Sequence, residues 1–186
     1  NILQLISRHL ISNNQLYRKQ AQYVLRRIVD YLKKYSQLLQ FTNDKLNPPF
    51  VICGNQDSSI KEVEHNFFLL LESLEEKQAH LIIPALSHLE NLVSASINHK
   101  SCGNCFDESW LKCIFTRLLY HDNNVVIKAG LIQLLRMDPG TFNDDFISFI
   151  TEALRYTFLY DEQSTDLQPQ ILKEISGLFR RSEASE

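Results

Sequence analysis

The sequence predicts an all-α fold, an α-solenoid of HEAT- or armadillo-like antiparallel helix pairs. Apolar residues recur at helical spacing along almost the whole chain, no stretch has a convincing strand pattern, and short polar connections separate the successive helices. The last three predicted pairs start about 35–47 residues apart, which is typical of these repeats. A single pair cannot bury its apolar face alone, so stacking of pairs would form the core.

The first predicted pair occupies residues 1–40. Residues 2–11 form a short apolar segment that stops at Ser12-Asn13-Asn14. A longer amphipathic helix is predicted over 15–40. Its apolar face comprises Tyr17, Ala21, Val24, Ile28, Leu32, Tyr35 and Leu39, and its polar face comprises Lys19, Gln22, Arg26, Lys33 and Gln37. Residues 41–59 lose the helical period and contain Pro48-Pro49, so they predict a loop.

The second predicted pair occupies residues 60–98, and Pro84 decides where its second helix begins. The connection Glu75–Gln78 is short, which requires the two helices to be antiparallel neighbours. Pro84 then falls in the first turn of a helix over 82–97, where its missing N–H would have no intrahelical partner in any case. We therefore expect Pro84 to start a helix and not to break one.

The third and fourth pairs are predicted over residues 107–137 and 142–182. Asp107 can cap the first helix of the third pair, and Thr165 or Asp166 the last helix of the fourth. Trp110 lies on an apolar face and predicts a core residue. Gly130 interrupts a helical pattern, which favours close approach of a neighbouring helix over any functional role.

The length of 186 residues suits one domain with a sizeable core. We expect residues 1–186 to be a single helical-repeat segment of a longer protein, because the chain begins at Asn1 and is at once helical in pattern. No stretch has the length of uncharged apolar sequence that a membrane span needs, and no signal-peptide pattern is seen. The four cysteines are then expected to be reduced thiols in an intracellular compartment, the cytoplasm or the nucleus.

Cys102-Gly103-Asn104-Cys105 is the sharpest local motif. A C-x-x-C pair has zinc-knuckle spacing, and His99 and Cys113 could supply third and fourth ligands. A second C-x-x-C is missing, and nothing predicts the βαβ context of a redox motif. A solvated loop between helices is therefore favoured, with Cys102 and Cys105 kept as zinc candidates.

Catalytic motifs are not found elsewhere in the sequence. The five glycines all stand alone, so neither a P-loop nor a dinucleotide-binding loop can be formed. The histidines lack a zinc-protease pattern, and no strand–turn–helix elbow would present a nucleophile. The sequence predicts no catalytic and no cofactor-binding residue in this segment.

The basic helix is the candidate binding element. Residues 1–40 hold seven Lys or Arg and one acid, a net charge of 7 − 1 = +6, although the whole chain carries −3. Such a stripe could bind RNA phosphates without reading the base sequence. The alternative is an ordinary solvated helix face. The RNA-contact candidates, all predicted on the solvent side and opposed only by Asp30, are Arg18, Lys19, Arg26, Arg27, Lys33 and Lys34.

A set of framework residues between Phe67 and Leu135 carries a family resemblance. The set is Leu71-Glu72-Ser73-Leu74-Glu75, Gln78-Ala79-His80-Leu81-Ile82-Ile83-Pro84-Ala85-Leu86, Leu89-Glu90-Asn91-Leu92, Ser109-Trp110, Cys113-Ile114-Phe115, Arg117 and Lys128-Ala129-Gly130-Leu131-Ile132, with a weaker match at Arg18-Lys19-Gln20-Ala21 and Tyr23-Val24-Leu25. This set resembles the helical-repeat region of the TAR RNA-binding protein 1 family, which comprises large eukaryotic tRNA (guanosine-2′-O-)methyltransferases of the SPOUT class.

The resemblance implies a long helical region that precedes a separate SPOUT domain, which binds S-adenosylmethionine and usually dimerises. This segment would then be a non-catalytic scaffold of a tRNA 2′-O-methyltransferase. Its implied partners are tRNA, the neighbouring helical repeats and catalytic domain of the same chain, and a second copy through the parent's dimer. The alternative is a HEAT-type adaptor or transport-receptor fragment that binds protein partners.

Overall fold

A computed structural model describes residues 2–35, 49–50, 58–102, 106, 108–136 and 167–183, together with residues 148, 151, 152 and 155. The helices in this part of the chain are α1 (Ile2–Leu10), α2 (Gln15–Tyr35), α3 (Ser58–Ser73), α4 (Ala79–Ile82), a 3₁₀ helix (Ile83–His88), α5 (Leu89–Cys102), α6 (Glu108–Leu119), α7 (Asn124–Arg136) and α8 (Leu167–Glu183). The all-α prediction is confirmed, since no strand occurs among these residues and Phe50 and Phe106 form only an isolated antiparallel bridge.

The chain divides into two compact units, Asn1–Arg117 and Leu118–Glu186. Within the described ranges, no helix is both long enough and apolar enough to span a bilayer.

A tight turn joins α1 to α2 in the first unit. The side chain of Asn14 accepts a hydrogen bond from the backbone N–H of Leu16 at 2.9 Å, which satisfies one of the donors that a helix N-terminus leaves without an intrahelical partner. The backbone N–H of Asn14 in turn donates to the Ser12 hydroxyl. Leu3, Ile6 and Leu10 form the buried stripe of α1. The predicted residues 36–40 of the second helix lie outside the described residues.

The buried face of α2 differs from the predicted face by about one residue. Tyr17 and Val24 were expected in the core but are 48% and 38% exposed, whereas Gln22 was expected on the polar side but is 7% exposed. The helical period constrains the face only to within a residue, and tertiary hydrogen bonds decide the rest. The residues of α2 that are buried are Arg18, Ala21, Gln22, Leu25, Val29 and Leu32.

Pro84 does start a helical segment, but the segment is a 3₁₀ helix. The chain is already α-helical at Ala79–Ile82. In place of the single α-helix predicted over 82–97, the structure has α4, the 3₁₀ helix and α5 in succession. The physical reason is that Pro84 cannot donate to the carbonyl of His80 and its ring crowds that carbonyl. The tighter 3₁₀ winding avoids this clash before α-helix resumes at Leu89.

The core of the first unit is aromatic. Phe67 on α3 makes a T-shaped contact with Trp110 on α6 at 6.4 Å between ring centroids, and both side chains are fully buried. Phe106 and Phe50 each lie within 5.6 Å of the Phe67 ring. Trp110 is therefore a core residue, as predicted. The loop predicted over 41–59 is corrected only at its end, because α3 already begins at Ser58. Phe50 lies outside any helix, as predicted, although its side chain is buried.

The second unit packs α7 against α8. A Cβ atom placed on Gly130 would clash with Cγ and Cδ2 of Leu118, so Gly130 does permit a close approach, as predicted. Arg136 on α7 pairs with Glu174 on α8 at 3.0 Å. The helical prediction over 142–155 falls on described residues only at 148, 151, 152 and 155, which are helical. The predicted caps Asp107, Thr165 and Asp166 lie outside the described residues.

Candidate nucleic-acid interface

The six basic candidates on α2 fall into two groups. Lys19, Arg27 and Lys34 are exposed, as predicted. Arg18, Arg26 and Lys33 instead cross to carboxylates of α3 and the turn that follows it. The prediction that all six lie on the solvent side is wrong for Arg18, whose side chain is only 10% exposed. RNA contact by any of the six stays a prediction.

Glu75, in the turn after α3, is the acceptor at the centre of a buried cluster. Arg18 forms a bidentate pair with it, donating from Nε to Oε1 at 2.8 Å and from Nη2 to Oε2 at 2.7 Å. Nη2 of Arg117, on α6, lies 3.3 Å from Oε1, and the Gln22 side-chain amide lies 3.4 Å from the same atom. Because only 6% of the Glu75 side chain is exposed, these donors replace water around its charge. We call these four residues, Glu75, Arg18, Gln22 and Arg117, the Glu75 cluster.

The Glu75 cluster joins several elements through backbone acceptors as well. Arg18 Nη1 donates to the carbonyl of Ser12 at 2.7 Å, in the turn between α1 and α2. Arg117 Nη2 donates to the carbonyl of Leu74 at 2.9 Å, at the end of α3. One carboxylate thus ties together α2, the turn before it, the end of α3 and the end of α6.

Two more ion pairs continue along α2 and α3. Arg26 pairs with Glu72 and also lies over the ring of Phe68, with its Cζ atom 4.4 Å from the ring centroid. Lys33 Nζ lies 2.6 Å from the Glu64 carboxylate. Positions advancing along α2 meet positions receding along α3, so the two helices run antiparallel. The exposed Arg26–Glu72 pair is worth well under about 1 kcal/mol by itself, because water screens it.

The outward face of α2 alternates cations with tyrosines. We use this name for Lys19, Tyr23, Arg27, Tyr31 and Lys34, which follow one another at intervals of four, four, four and three residues. At about 100° per residue these positions fall within an arc of about 120°, opposite the buried stripe. Tyr23 and Tyr31 are 67% and 56% exposed. Sequence reasoning missed both tyrosines, although the four-residue alternation with basic residues was visible.

A groove of about 740 Å³ lies between α2 and the turn that joins α3 to α4. Its walls carry both signs of charge, including Lys19 and Arg26 on one side and Glu72 and Glu76 on the other. Tyr23 also lines it, so the groove opens beside one end of the outward face of α2. Mixed charge over this open surface suits hydrogen bonding to a polar ligand more than capture of an apolar one.

The cysteines offer little chemistry where the structure describes them. Burial raises the pKa of the Cys113 thiol to about 12, so at neutral pH it is a protonated, inert core group. The side chain of Cys102 and the whole of Cys105 lie outside the described residues, and so does the His99 side chain. Over the described part of the chain, no three His, Cys, Asp or Glu side chains are grouped to hold a metal ion.

Comparison with known proteins agrees with the resemblance carried by the framework residues. Residues 7–155 match the TARBP1 domain family. Over 155 residues, the chain is 29% identical to the mouse (Mus musculus) protein tRNA (guanosine(18)-2′-O)-methyltransferase TARBP1, an alignment that covers 78% of this chain and 10% of the mouse protein. The chain therefore spans about a tenth of the length of that relative. No solved structure matches the chain. Since the family match covers well over half of the chain, the chain belongs to the TARBP1 domain family.

Proposed function

We propose that this chain is a non-catalytic, helical-repeat scaffold of a large tRNA 2′-O-methyltransferase. It would support the tRNA substrate, the separate S-adenosylmethionine-dependent catalytic domain, or both. Its helices would stack as HEAT- or armadillo-like pairs on neighbouring repeats of the same protein, which would dimerise through its SPOUT domain. A tRNA-modifying role would place the protein inside the cell, in the cytoplasm or the nucleus.

The observation that carries the scaffold role is how the buried charges are used. Glu75 forms buried ion pairs with both Arg18 and Arg117, and these pairs join α2, α6 and the turn after α3 at one point. A catalytic carboxylate would need an open side towards a substrate, whereas Glu75 is enclosed by its own helices. Such a cluster fixes the register of a helical framework, which suits a part that positions other parts.

The family match supports tRNA as the supported substrate. The mouse relative is named as a tRNA (guanosine(18)-2′-O)-methyltransferase, and the matched segment includes the whole of α2. Lys19, Arg27 and Lys34 are the candidates for phosphate contacts, because these three residues are exposed. Arg18, Arg26 and Lys33 would contribute less, since carboxylates already neutralise them.

Deletion tests the scaffold role in a full-length protein. The segment matching this chain would be removed from the mouse relative, and tRNA methylation would be followed by mass spectrometry of 2′-O-methylguanosine. We expect methylation to fall at least tenfold while S-adenosylmethionine binding, measured by calorimetry, is retained. A variant lacking this segment that methylates tRNA at the full rate would refute the scaffold role. A control deletion of equal length elsewhere in the mouse protein would show whether shortening alone has an effect.

The second candidate function is a HEAT-type adaptor or transport-receptor fragment. Exposed apolar side chains on α1 and at the start of α2 favour it, since Ile2, Leu5 and Leu16 are 60%, 55% and 60% exposed. Exposed apolar surface can mark a protein interaction site. Stable binding of a protein partner by the 186-residue chain, with negligible affinity for tRNA at low salt, would favour this candidate.

A further inference from the structure

We propose that the groove between α2 and the turn after α3 binds an extended peptide segment of a partner protein, one that carries an acidic and an apolar side chain two residues apart. The acidic side chain pairs with Lys19, and the apolar one packs on Tyr23. This inference goes beyond the proposed function, because neither support of tRNA nor stacking of repeats requires a peptide in this groove. It assigns Lys19 to a carboxylate and leaves Arg27 and Lys34 as candidates for phosphate contacts.

The groove has the size of a site for a short peptide. Its volume of about 740 Å³ falls in the range of roughly 300–1,000 Å³ that ligand sites occupy. The part of α2 that lines it runs from Gln15 to Arg26, an advance of roughly 16 Å at 1.5 Å per residue. At about 100° per residue, the lining positions of α2 fall within an arc of about 100°. An extended peptide rises about 3.3 Å per residue, so about five residues cover this length.

The charge of the groove favours a polypeptide over a nucleic acid. Three cations and three carboxylates line the groove, a formal balance of 3 − 3 = 0. A nucleic acid binds where cations are in excess, since its affinity comes largely from phosphate neutralisation. A peptide can carry both signs of charge together with neutral backbone donors and acceptors, so it complements a balanced lining.

Lys19 is the group that selects an acidic side chain. Arg26, another cation of the groove, already pairs with Glu72, and the carboxylate of the Glu75 cluster is taken by two arginines. Lys19 is exposed, and it forms no ion pair or hydrogen bond with the part of the chain that the structure describes. A ligand carboxylate therefore gains a charge-assisted hydrogen bond from Lys19 without displacing another partner.

Gln22 offers an acceptor for the peptide backbone. It lines the groove between Lys19 and Arg26 and is only 7% exposed. Its Nε2 donates to the carbonyl of Leu71 at 3.2 Å and lies 3.4 Å from Oε1 of Glu75. Among the described residues, none donates a hydrogen bond to its side-chain carbonyl oxygen. A backbone N–H of the peptide supplies that donor, because a glutamine carbonyl accepts where its amide nitrogen donates.

Tyr23 and Leu81 supply the apolar surface and set the spacing in the ligand. Both line the groove, and they are 67% and 48% exposed. Tyr23 follows Lys19 by four residues, roughly 6 Å along the helix. On one face of an extended peptide, side chains two residues apart are separated by roughly 6.6 Å. A peptide whose carboxylate lies on Lys19 therefore places the side chain two residues away on Tyr23.

The experiment uses the intact 186-residue chain and a phage library of random twelve-residue peptides. Selected peptides are synthesised with fluorescein, and their affinities are measured by fluorescence anisotropy. Lys19→Glu and Tyr23→Ala are compared with the wild type. The matched control is Arg27→Glu, which changes an exposed cation of α2 outside the groove and gives the same net charge as Lys19→Glu, −3 − 2 = −5. Circular dichroism verifies that each variant is folded.

We expect the selected peptides to share an acidic and an apolar residue two positions apart. Lys19→Glu should weaken their binding at least tenfold, because an attractive pair becomes a repulsive one. Tyr23→Ala should weaken it roughly tenfold, since an exposed ring at the centre of a contact carries much of its affinity. Arg27→Glu should bind them like the wild type. A peptide whose acid is replaced by lysine should bind Lys19→Glu more tightly than the wild type, a reversal that a loss of folding does not produce.

Several results would overturn the inference. One is a selection that yields no peptides, or peptides without the shared pair of residues. Another is an affinity that Lys19→Glu and Tyr23→Ala leave unchanged, or that Arg27→Glu lowers as much as Lys19→Glu does.

Two other occupants of the groove are tested with the same variants. If a labelled, unstructured RNA binds the wild type and loses affinity in Lys19→Glu and Tyr23→Ala but not in Arg27→Glu, the groove is an RNA site and the peptide assignment is wrong. If sedimentation shows a dimer that these two variants abolish, the occupant is a second copy of this chain, and the assignment is again wrong. The scaffold role is decided separately, by tRNA methylation in the deletion variant of the relative.

Discussion

Removal of the buried Glu75 carboxylate should strongly destabilise the first unit. In Glu75→Ala, the guanidinium groups of Arg18 and Arg117 lose their counter-ion while remaining 10% and 12% exposed. Truncating one partner of a buried ion pair typically costs about 3–5 kcal/mol, because the remaining charge stays desolvated. Hydrogen bonds from these arginines to the carbonyls of Ser12 and Leu74 survive the substitution and hold the loss within that range.

Glu75→Gln refines the magnitude. Its amide keeps one oxygen in place as an acceptor for the arginines but removes the charge and the second acceptor of the bidentate pair. We therefore expect a loss of about 2 kcal/mol, intermediate between the wild type and Glu75→Ala. In the double variant Glu75→Gln/Arg18→Met, the loss of unfolding free energy should be smaller than the sum of the two single losses. Without the Arg18 guanidinium, the Glu75 carboxylate no longer has that charge to pair with.

Urea denaturation followed by tryptophan fluorescence measures this loss of stability in the first compact unit. Trp110 is the chain's one tryptophan, and it is fully buried in the core of the first unit. Far-UV circular dichroism, recorded in parallel, reports helices of both units. Glu76→Gln is the matched control, because Glu76 is the adjacent carboxylate and is exposed, so its change should stay within about 0.5 kcal/mol.

The reasoning would be refuted if Glu75→Ala and Glu76→Gln shifted the urea midpoint equally. It would also be refuted if the losses from Glu75→Gln and Arg18→Met were simply additive, because additivity indicates that the two groups do not interact.

Three further predictions concern packing, thiol reactivity and metal. Gly130→Ala should destabilise the second unit by about 1–2 kcal/mol, since overpacking against Leu118 outweighs the gain in helix propensity; circular dichroism melts would show it, and an unchanged melt would refute the close contact. With the other three cysteines changed to serine, Cys113 should react with iodoacetamide only as fast as the protein unfolds. Its raised pKa of about 12 predicts that stability falls as pH rises above about 9, where the unfolded thiol loses its proton first. The purified chain should contain no stoichiometric zinc by mass spectrometry, whereas one equivalent that is lost in C102S or C105S would establish a metal site.

The sequence predicted well what depends on local pattern. Helical periodicity identified the helices of the described residues, and the burial of Trp110 and the close approach at Gly130 followed from their places on apolar faces. The framework residues carried the family resemblance that the comparison with known proteins bears out. Pro84 was correctly expected to start a segment, but the balance between α and 3₁₀ winding around it depends on a clash that periodicity does not describe.

The candidate site was predicted only in outline, as a basic helix. Periodicity gave the helix α2 and its cations, but it could not tell an outward arginine from a buried one. Arg18 is buried because it pairs with Glu75, which lies 57 residues further along the chain. Gln22 is buried because its side-chain amide donates to the carbonyl of Leu71. Such pairings join residues that no local pattern connects.

The sequence by itself therefore determined the helical class, the family and the positive charge of α2. Only the tertiary structure decided which of those charges are neutralised inside and which are left with Tyr23 and Tyr31 at the surface. The physical reason is that hydrophobic periodicity fixes the direction of a helix face only to within about one residue. A buried charge, in contrast, needs a counter-ion, and tertiary packing decides which distant residue supplies it.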